Sequence, residues 1–272
     1  TGFGQTGPYA PRPGYDALIQ AMGGVMSLTG EPNGSPQKVG VPVADLFAGL
    51  YGCIGILAAV NHRNSTGQGQ QIDIGMLDTH VAWLANQGMN YLATGENPPR
   101  LGNQHPNIAP YQEFPTKDGY IILAVGNDPT FERFCKAFGQ EALLADPRFA
   151  TNPIRVQNRQ LVTDTLTPVM KSKTTAEWID ALEALKIGCG PINTLEQVFA
   201  DPHVQAREMV VDMAHGSGET VKVIANPVKL SATPPSYRSA PPVLGEHTNA
   251  VLTGVLKMSA AEIAALKDKG IL

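Results

Sequence analysis

The longest apolar run in the chain is VPVADLFAGLYGCIGILAAV, residues 41–60, and its single charged side chain, Asp45, stands near its start. A continuous run of this length predicts one helix from about Asp45 to His62, closed by the polar stretch NSTGQGQ. Its length approaches the roughly 20 apolar residues that cross a bilayer. Pro42, Asp45, the small residues Ala44, Ala48, Gly49, Gly52 and Gly55, and the lack of a second such run favour instead the buried helix of a globular protein. Upstream, Leu18, Met22 and Val25 mark a short helix and turn, followed by the loop EPNGSPQKVG. Downstream, QQIDIGML alternates like a short strand and leads into a second helix, about Asp78 to Leu92.

The pattern then breaks at TGENPPRLGNQHPNIAPYQ, a long irregular segment rich in Pro, Asn and Gly, of the kind that is functional when it lies between ordered elements. Beyond it, EFPTKDGYIILAVG predicts a strand, a Lys-Asp-Gly turn and a second strand from Tyr120 to Val125, and DPTFERFCKAFG predicts a helix closed by Gly139. TTAEWIDALEALKIG reads as a capped helix with Thr175 before it, Glu177 in its first turn and Gly188 at its end. After Arg207, MVVDMAH and TVKVIANPVKL have strand texture, and a last helix spans about Ala260 to Lys269. The sum is a mixed α/β protein with a small domain over about 101–205.

With 272 residues, 43% of them hydrophobic, the chain can bury a core as one large domain or two smaller ones. A formal charge of −4 without any basic run leaves no electrostatic footprint for nucleic acid or an anionic membrane, so the expected partners are small molecules or other subunits. Cys53, Cys135 and Cys189 lie far apart with no CxxC pair, which fits reduced thiols in a cytosolic protein. The six histidines show no ligand spacing, and a metal site is not expected. No P-loop, GxSxG or HExxH is present, and the TGFGQTG glycines do not fit GxGxxG after a strand, so ATP and dinucleotide chemistry have little support. The chain opens without Met or signal peptide inside a glycine-rich loop, TGFGQTGPYAPRPGYDA, and reads as one entered partway through.

Asp45 is the residue with a physical case for chemistry. It reads either as a helix N-cap or first-turn acid held by free backbone N–H groups and the helix dipole, or as a carboxylate nucleophile fixed at a helix start, and the two are compatible. The loop GNQHPNIAPYQ, residues 102–112, is either an interdomain connector or a flexible cover presenting Gly102, His105 and Tyr111 to a reacting carbonyl. Tyr15 and Asp16 in RPGYDA are either a turn with an aromatic anchor or substrate-facing groups.

Six ordered motifs carry a resemblance: GFGQTGPY, GYDALIQAMGGVMSLTG, GVPVADLFAGLYGCIGILAA, TGQGQQIDIGMLD, PYQEFPTKDGYIILAVGN and LGEHT. Together they resemble the family III CoA-transferases (CaiB/BaiF family), with the strongest likeness to the branch acting on succinyl-CoA and dicarboxylic acids such as glutarate. The likeness covers nearly the whole chain and lacks roughly the first third of the family's length.

The resemblance implies a Rossmann-like large domain, incomplete here, built from residues 1–100 and 206–272 around a smaller α+β domain at 101–205. It also implies an interlocked homodimer, in the cytoplasm or the mitochondrial matrix. It places the catalytic aspartate on Asp45, the substrate-facing tyrosine on Tyr15 beside Asp16, and the mobile active-site loop on Gly102, Asn103, Gln104 and His105, continuing to Asn107. Where the formyl-CoA enzyme has a run of glycines, this chain has GNQHPN. Arg12 is the candidate for a CoA phosphate contact.

The implied reaction uses CoA and acyl-CoA as substrates, with no permanently bound cofactor and no metal. Asp45 attacks the thioester to form an aspartyl-acyl anhydride, the released thiolate converts this to an aspartyl-CoA thioester, and the incoming acid reverses the sequence. Alternatives are an α-methylacyl-CoA racemase of the same superfamily, which needs a histidine upstream of the aspartate, and a non-catalytic CoA-binding module. Residues 1–272 alone are expected to be inactive and marginally stable, with apolar surface exposed.

Overall fold

The computed structural model describes residues 1–272 and divides them into two compact units, Thr1–Ile192 and Asn193–Leu272. The division differs from the expected one: residues 1–100 share a unit with the first part of the expected small domain, and the boundary falls at Ile192. A strand ending at Pro191 is the last element of the first unit's sheet, which is why the chain parts there.

The first unit begins with five helices: α1 (Asp16–Met22), α2 (Val25–Leu28), α3 (Val43–Thr66), α4 (Met76–Ala82) and α5 (Ala85–Thr94). The apolar run does form one long helix, α3, ended by Gly67 in the left-handed region at φ 76°, whose N–H donates to the Arg63 carbonyl. Its environment differs from the expected buried one. Only Val43 and Ala44 are buried, whereas Leu46, Leu50, Ile54 and Leu57 are exposed along its length. By length and composition alone α3 passes as long and apolar enough to cross a membrane.

QQIDIGML does not become a strand, because no neighbouring strand offers it a ladder. It is tied only where it meets the N-terminal loop, with the Thr1 amine donating to Ile74 O and the N–H groups of Met76 and Leu77 donating to Thr1 O and Gly2 O. The helix expected at about 78–92 is interrupted between α4 and α5, where Ala85 adopts a positive φ of 46°.

The rest of the unit is built on a three-stranded sheet. β1 (Tyr111–Pro115), β2 (Tyr120–Ala124) and β3 (Gly188–Pro191) lie in the order β1-β2-β3, all antiparallel, with Tyr111 opposite Ala124 and Ile121 opposite Pro191. Between β2 and β3 run α6 (Asp128–Ala137), α7 (Ala142–Ala145), α8 (Asn152–Gln157), α9 (Arg159–Met170) and α10 (Thr175–Ala184). The period-2 pattern sends Phe114, Ile121 and Leu123 into a core shared with Phe131 and Phe134 of α6, Leu166 and Met170 of α9, and Trp178 and Leu182 of α10. Trp178 satisfies its indole N–H on the Met170 carbonyl at 2.6 Å.

The cap of α10 is Thr174, one residue earlier than expected, and it forms a reciprocal capping box with Glu177. Its end is also earlier: Lys186 takes the left-handed turn at φ 56°, and Gly188 opens β3 instead of closing the helix.

Arg155 on α8 is fully buried, and every part of its guanidinium is used. Nε donates to Ala109 O at 2.8 Å, Nη1 to Phe149 O at 2.9 Å and Nη2 to Asp128 Oδ1 at 2.7 Å, while the Phe131 ring lies 4.2 Å from its carbon. Its bond to Ala109 O reaches the end of the 102–109 segment and fixes where the loop enters β1.

The second unit holds α11 (Leu195–Ala200), α12 (Pro202–Ala206), an antiparallel hairpin of β4 (Val210–Ala214) and β5 (Thr220–Ile224), then α13 (Thr248–Gly254) and α14 (Ala260–Asp268). Thr194 with Gln197 and Ser259 with Glu262 form capping boxes at α11 and α14. The mixed helix and sheet class is as expected from the sequence, and both of the chain's sheets are antiparallel, so the parallel strands of a Rossmann-like sheet are not among its elements.

Replacing Arg155 by Met keeps the apolar stem and strips two buried carbonyls of their donor, at roughly 1–3 kcal/mol each. Arg155→Met is therefore expected to destabilise the chain by on the order of 3 kcal/mol in urea unfolding. A loss below about 1 kcal/mol would show that those carbonyls find other partners.

Candidate active site

The site is assembled where α3 begins. Pro42 occupies the cap position of α3 and has no side chain able to accept a hydrogen bond, so the helix start draws its acceptor from another element. Asp16 of α1 provides it, its Oδ1 accepting the Ala44 N–H at 2.9 Å. Asp16 Oδ2 in turn accepts from Gln20 Nε2 at 2.8 Å, and Gln20 Oε1 accepts the Val39 N–H at 2.8 Å. Gln20 is fully buried, four residues after Asp16 and therefore on the same face of α1.

The capping role considered for Asp45 therefore belongs to Asp16. Asp45 stands in the first turn of α3, exposed, with its carboxylate in no hydrogen bond or ion pair. The helix dipole favours its negative charge without engaging its oxygens. Ala44 is seated beneath it in a small core with Phe3 and Ile19, against which Met76 and Leu77 pack, and Phe47 stacks on Trp83 at 4.4 Å.

Tyr15 immediately precedes α1 with extended backbone and a ring 74% exposed, so the bond from Asp16 to α3 also places this aromatic beside the start of the Asp45 helix. The Arg12 guanidinium lies 3.8 Å from the centre of the Tyr9 ring, which meets Phe3 edge-on at 5.6 Å. It is an exposed cation on a fixed aromatic support.

The 102–107 loop is braced. Gly102, at φ 58°, donates its N–H to Gly30 O at 3.1 Å, and Gln104 donates to Leu101 O. The His105 N–H donates to Tyr111 O, its ring stacks on Tyr111 at 5.1 Å, and its Nδ1 accepts the Asn107 N–H. Arg159 donates to the carbonyls of His105 and Pro106. Burial, and secondarily the Arg159 charge, lower the pKa of His105. Gly102, Asn103 and Gln104 line a cleft of about 300 Å³ with Glu31, Tyr120 and Thr163. One hydrogen bond joins Asp16 to the Asp45 helix, and none runs from the 102–107 loop to Asp45.

Two features escape the sequence reading. One is the strap from Thr29 to Val39, held to the loop side through Gly30 and Gly102 and through Arg100 Nη2 on Gly34 O at 2.6 Å, and to the helix side through Val39 and Gln20. Its only sequence signal is the Asp16–Gln20 spacing. The other is His80 of α4, fully buried with neither ring nitrogen hydrogen-bonded. Its Cδ2 sits where a Cβ on residue 23 would come within 2.3 Å, so Gly23 is the residue that permits this packing. No three His, Cys, Asp or Glu side chains converge as a metal-ligand set.

A free carboxylate in the first turn of a helix whose terminus is capped by another element can act as a nucleophile toward an acyl group. CoA-transferase family III matches residues 1–248, and the chain belongs to that family. It is 47% identical over 252 residues to the succinate–glutarate CoA-transferase of Agrobacterium fabrum, covering 93% of this chain and 63% of that protein. It is 36% identical over 271 residues to the human succinyl-CoA:glutarate CoA-transferase, covering 100% of this chain and 62% of that one. The crystal structure of a CAIB/BAIF family protein from Brucella suis superposes with a TM-score of 0.78 at 46% identity, covering 93% of this chain and 66% of that chain. The chain thus spans about three fifths of the length of the curated relatives it matches.

Burial depresses the pKa of His80 below 6.5, and the opposing pull of Asp16 is the smaller effect. The stability tied to neutral His80 is complete above its unfolded pKa of about 6.5 and is lost as pH falls through the lower folded value. The drop in Tm from about pH 7.5 to about pH 5 is expected to shrink in His80→Leu relative to the unchanged protein. An equal drop in both would assign the acid sensitivity to other groups.

Proposed function

We propose that the full-length protein moves CoA from succinyl-CoA or a similar acyl-CoA to a dicarboxylic acid of the glutarate type, with Asp45 as the nucleophile. The observation that carries this reading is that Asp16, and not Asp45, satisfies the α3 terminus, leaving the Asp45 carboxylate unengaged in the first turn of a rigid helix. The names of the relatives support the substrate class.

In this reading Asp45 attacks the thioester carbonyl and expels the CoA thiolate, giving a mixed anhydride. The thiolate then attacks the aspartyl carbonyl, releasing the first acid and leaving an aspartyl-CoA thioester. The second acid attacks that thioester to form a new anhydride, and thiolate attack on its acyl carbonyl restores Asp45 and yields the new acyl-CoA. Each step exchanges one activated acyl bond for another, so the transfer needs no external energy source.

Tyr15 offers an exposed ring to the substrate, and Arg12 a cation for a CoA phosphate. In the loop, the N–H groups of Gly102, Gln104, His105 and Asn107 are engaged internally, which leaves that of Asn103 as the oxyanion donor from this segment. The exposed apolar side of α3 supports an interlocked homodimer as the working form. His80, buried against Gly23, makes no hydrogen bond to Asp45, and nothing in the geometry favours the racemase reading.

The test is transfer of label between isotopically labelled succinate and acyl-CoA. Asp45→Asn in the full-length protein is expected to lower the rate by about a thousandfold or more while CoA still binds. A rate within about tenfold of the unchanged protein would overturn the assignment.

A further inference from the structure

We infer that Asp16 and Gln20 are positioning residues for Asp45, forming with Val39 and Ala44 a partly buried hydrogen-bond clamp that sets where the nucleophile stands. The inference rests on the proposed role of Asp45. It reassigns Asp16, which faces the helix terminus through Oδ1 and Gln20 through Oδ2 and so has both oxygens committed. Those bonds make it a support for the reactive carboxylate.

The geometry is directional. Three bonds of 2.8–2.9 Å run in series: Ala44 N–H to Asp16, Gln20 amide to Asp16, and Val39 N–H to Gln20. They fix the two chain segments on either side of the Gly40–Pro42 turn to the same face of α1. Ala44 is the residue next to Asp45, so a shift in that bond moves the nucleophile directly. Gln20 is fully buried, and its amide orientation is set by its partners, since the NH₂ must face the carboxylate and the oxygen must face Val39. An approach error of about 1 Å at a reacting atom can cost on the order of 100-fold in rate.

The donor and acceptor sequence of the clamp supplies its own test. Asp16→Asn keeps the acceptor for Ala44 and places an NH₂ opposite the Gln20 NH₂; turning the Gln20 amide only moves the clash to the Val39 N–H. Gln20→Glu sets a carboxylate against that of Asp16. The double variant Asp16→Asn with Gln20→Glu restores all three bonds with their polarity exchanged between the two side chains and the net charge unchanged.

The four full-length proteins should be compared by kcat and KM for acyl-CoA, and by mass analysis of the Asp45 peptide after a rapid quench with acyl-CoA. Each single variant is expected to lose about tenfold or more in kcat with KM within about twofold, and the double variant to recover to within about threefold of the unchanged protein. Single variants that melt earlier yet keep full kcat below their melting temperature would overturn the inference, as would a double variant no better than the worse single. If neither single variant folds, the kcat of the double variant decides: within about threefold supports the clamp, and a tenth or less overturns it. An unchanged protein that transfers CoA with no adduct on Asp45 overturns the nucleophile assignment and this inference with it. An adduct on Asp45 with unaffected single variants overturns this inference alone.

Discussion

The hydrogen bond from the Ala44 N–H to the Asp16 carboxylate is the contact on which the candidate site depends. A helix start leaves backbone donors without intrahelical partners, and the usual remedy is a Ser, Thr, Asn or Asp at the cap position. Here that position is Pro42, so the acceptor comes from α1. The consequence is a separation of roles: one carboxylate satisfies the backbone, and another, Asp45 in the same turn, is left with its oxygens free. Had Asp45 been the cap, its lone pairs would point at its own helix. The remote acceptor leaves a first-turn acid with free oxygens, as the role proposed for Asp45 requires.

The surrounding structure is stiff for a related reason. Polar groups withdrawn from water are each given partners, as with the Arg155 guanidinium spread over Ala109, Phe149 and Asp128, or Gln20 between Asp16 and Val39. Arg155 anchors the residue where the 102–109 segment turns into β1, and Arg159 holds the carbonyls of His105 and Pro106. A run of glycines at this place would gain backbone freedom; GNQHPN instead exchanges that freedom for His105 stacking and Arg159 bonding. His80 is the exception, buried with both nitrogens unpaired, and it lies close enough to Asp16 for the charge to oppose part of its desolvation.

What the sequence disclosed follows from which forces are local. The β1–β2 hairpin and its turn, α6, α10 and the strand texture of β4 and β5 are legible because period, turn residues and caps are written within a few positions. The misreadings were tertiary. QQIDIGML has strand alternation, yet a strand needs a ladder partner and has none here. Thr175 and Gly188 each suit a helix end, but the cap stands one residue earlier at Thr174 and the left-handed turn two residues earlier at Lys186. For the site, Asp45 and its neighbours Tyr15 and Asp16 were legible as candidates, and motif likeness singled them out. That Asp16 caps α3 across 28 residues of sequence was not legible, since no local pattern records which of two acids accepts a given N–H.

The apolar run itself separates composition from environment. Its lack of charge reads as a buried helix, and the helix forms, yet Leu46, Leu50, Ile54 and Leu57 face outward in a stripe that continues for turns beyond the clamp. Composition reports the surroundings in which a sequence was selected, whereas the exposure of a single chain reports only the contacts which that chain makes with itself. An exposed apolar stripe this long marks an interaction face. In the reading proposed here a second, interlocked copy covers it. In that reading, covering the stripe would lower the dielectric around the first turn of α3, which strengthens the Asp16–Ala44 bond and at the same time raises the cost of a carboxylate left unpaired there.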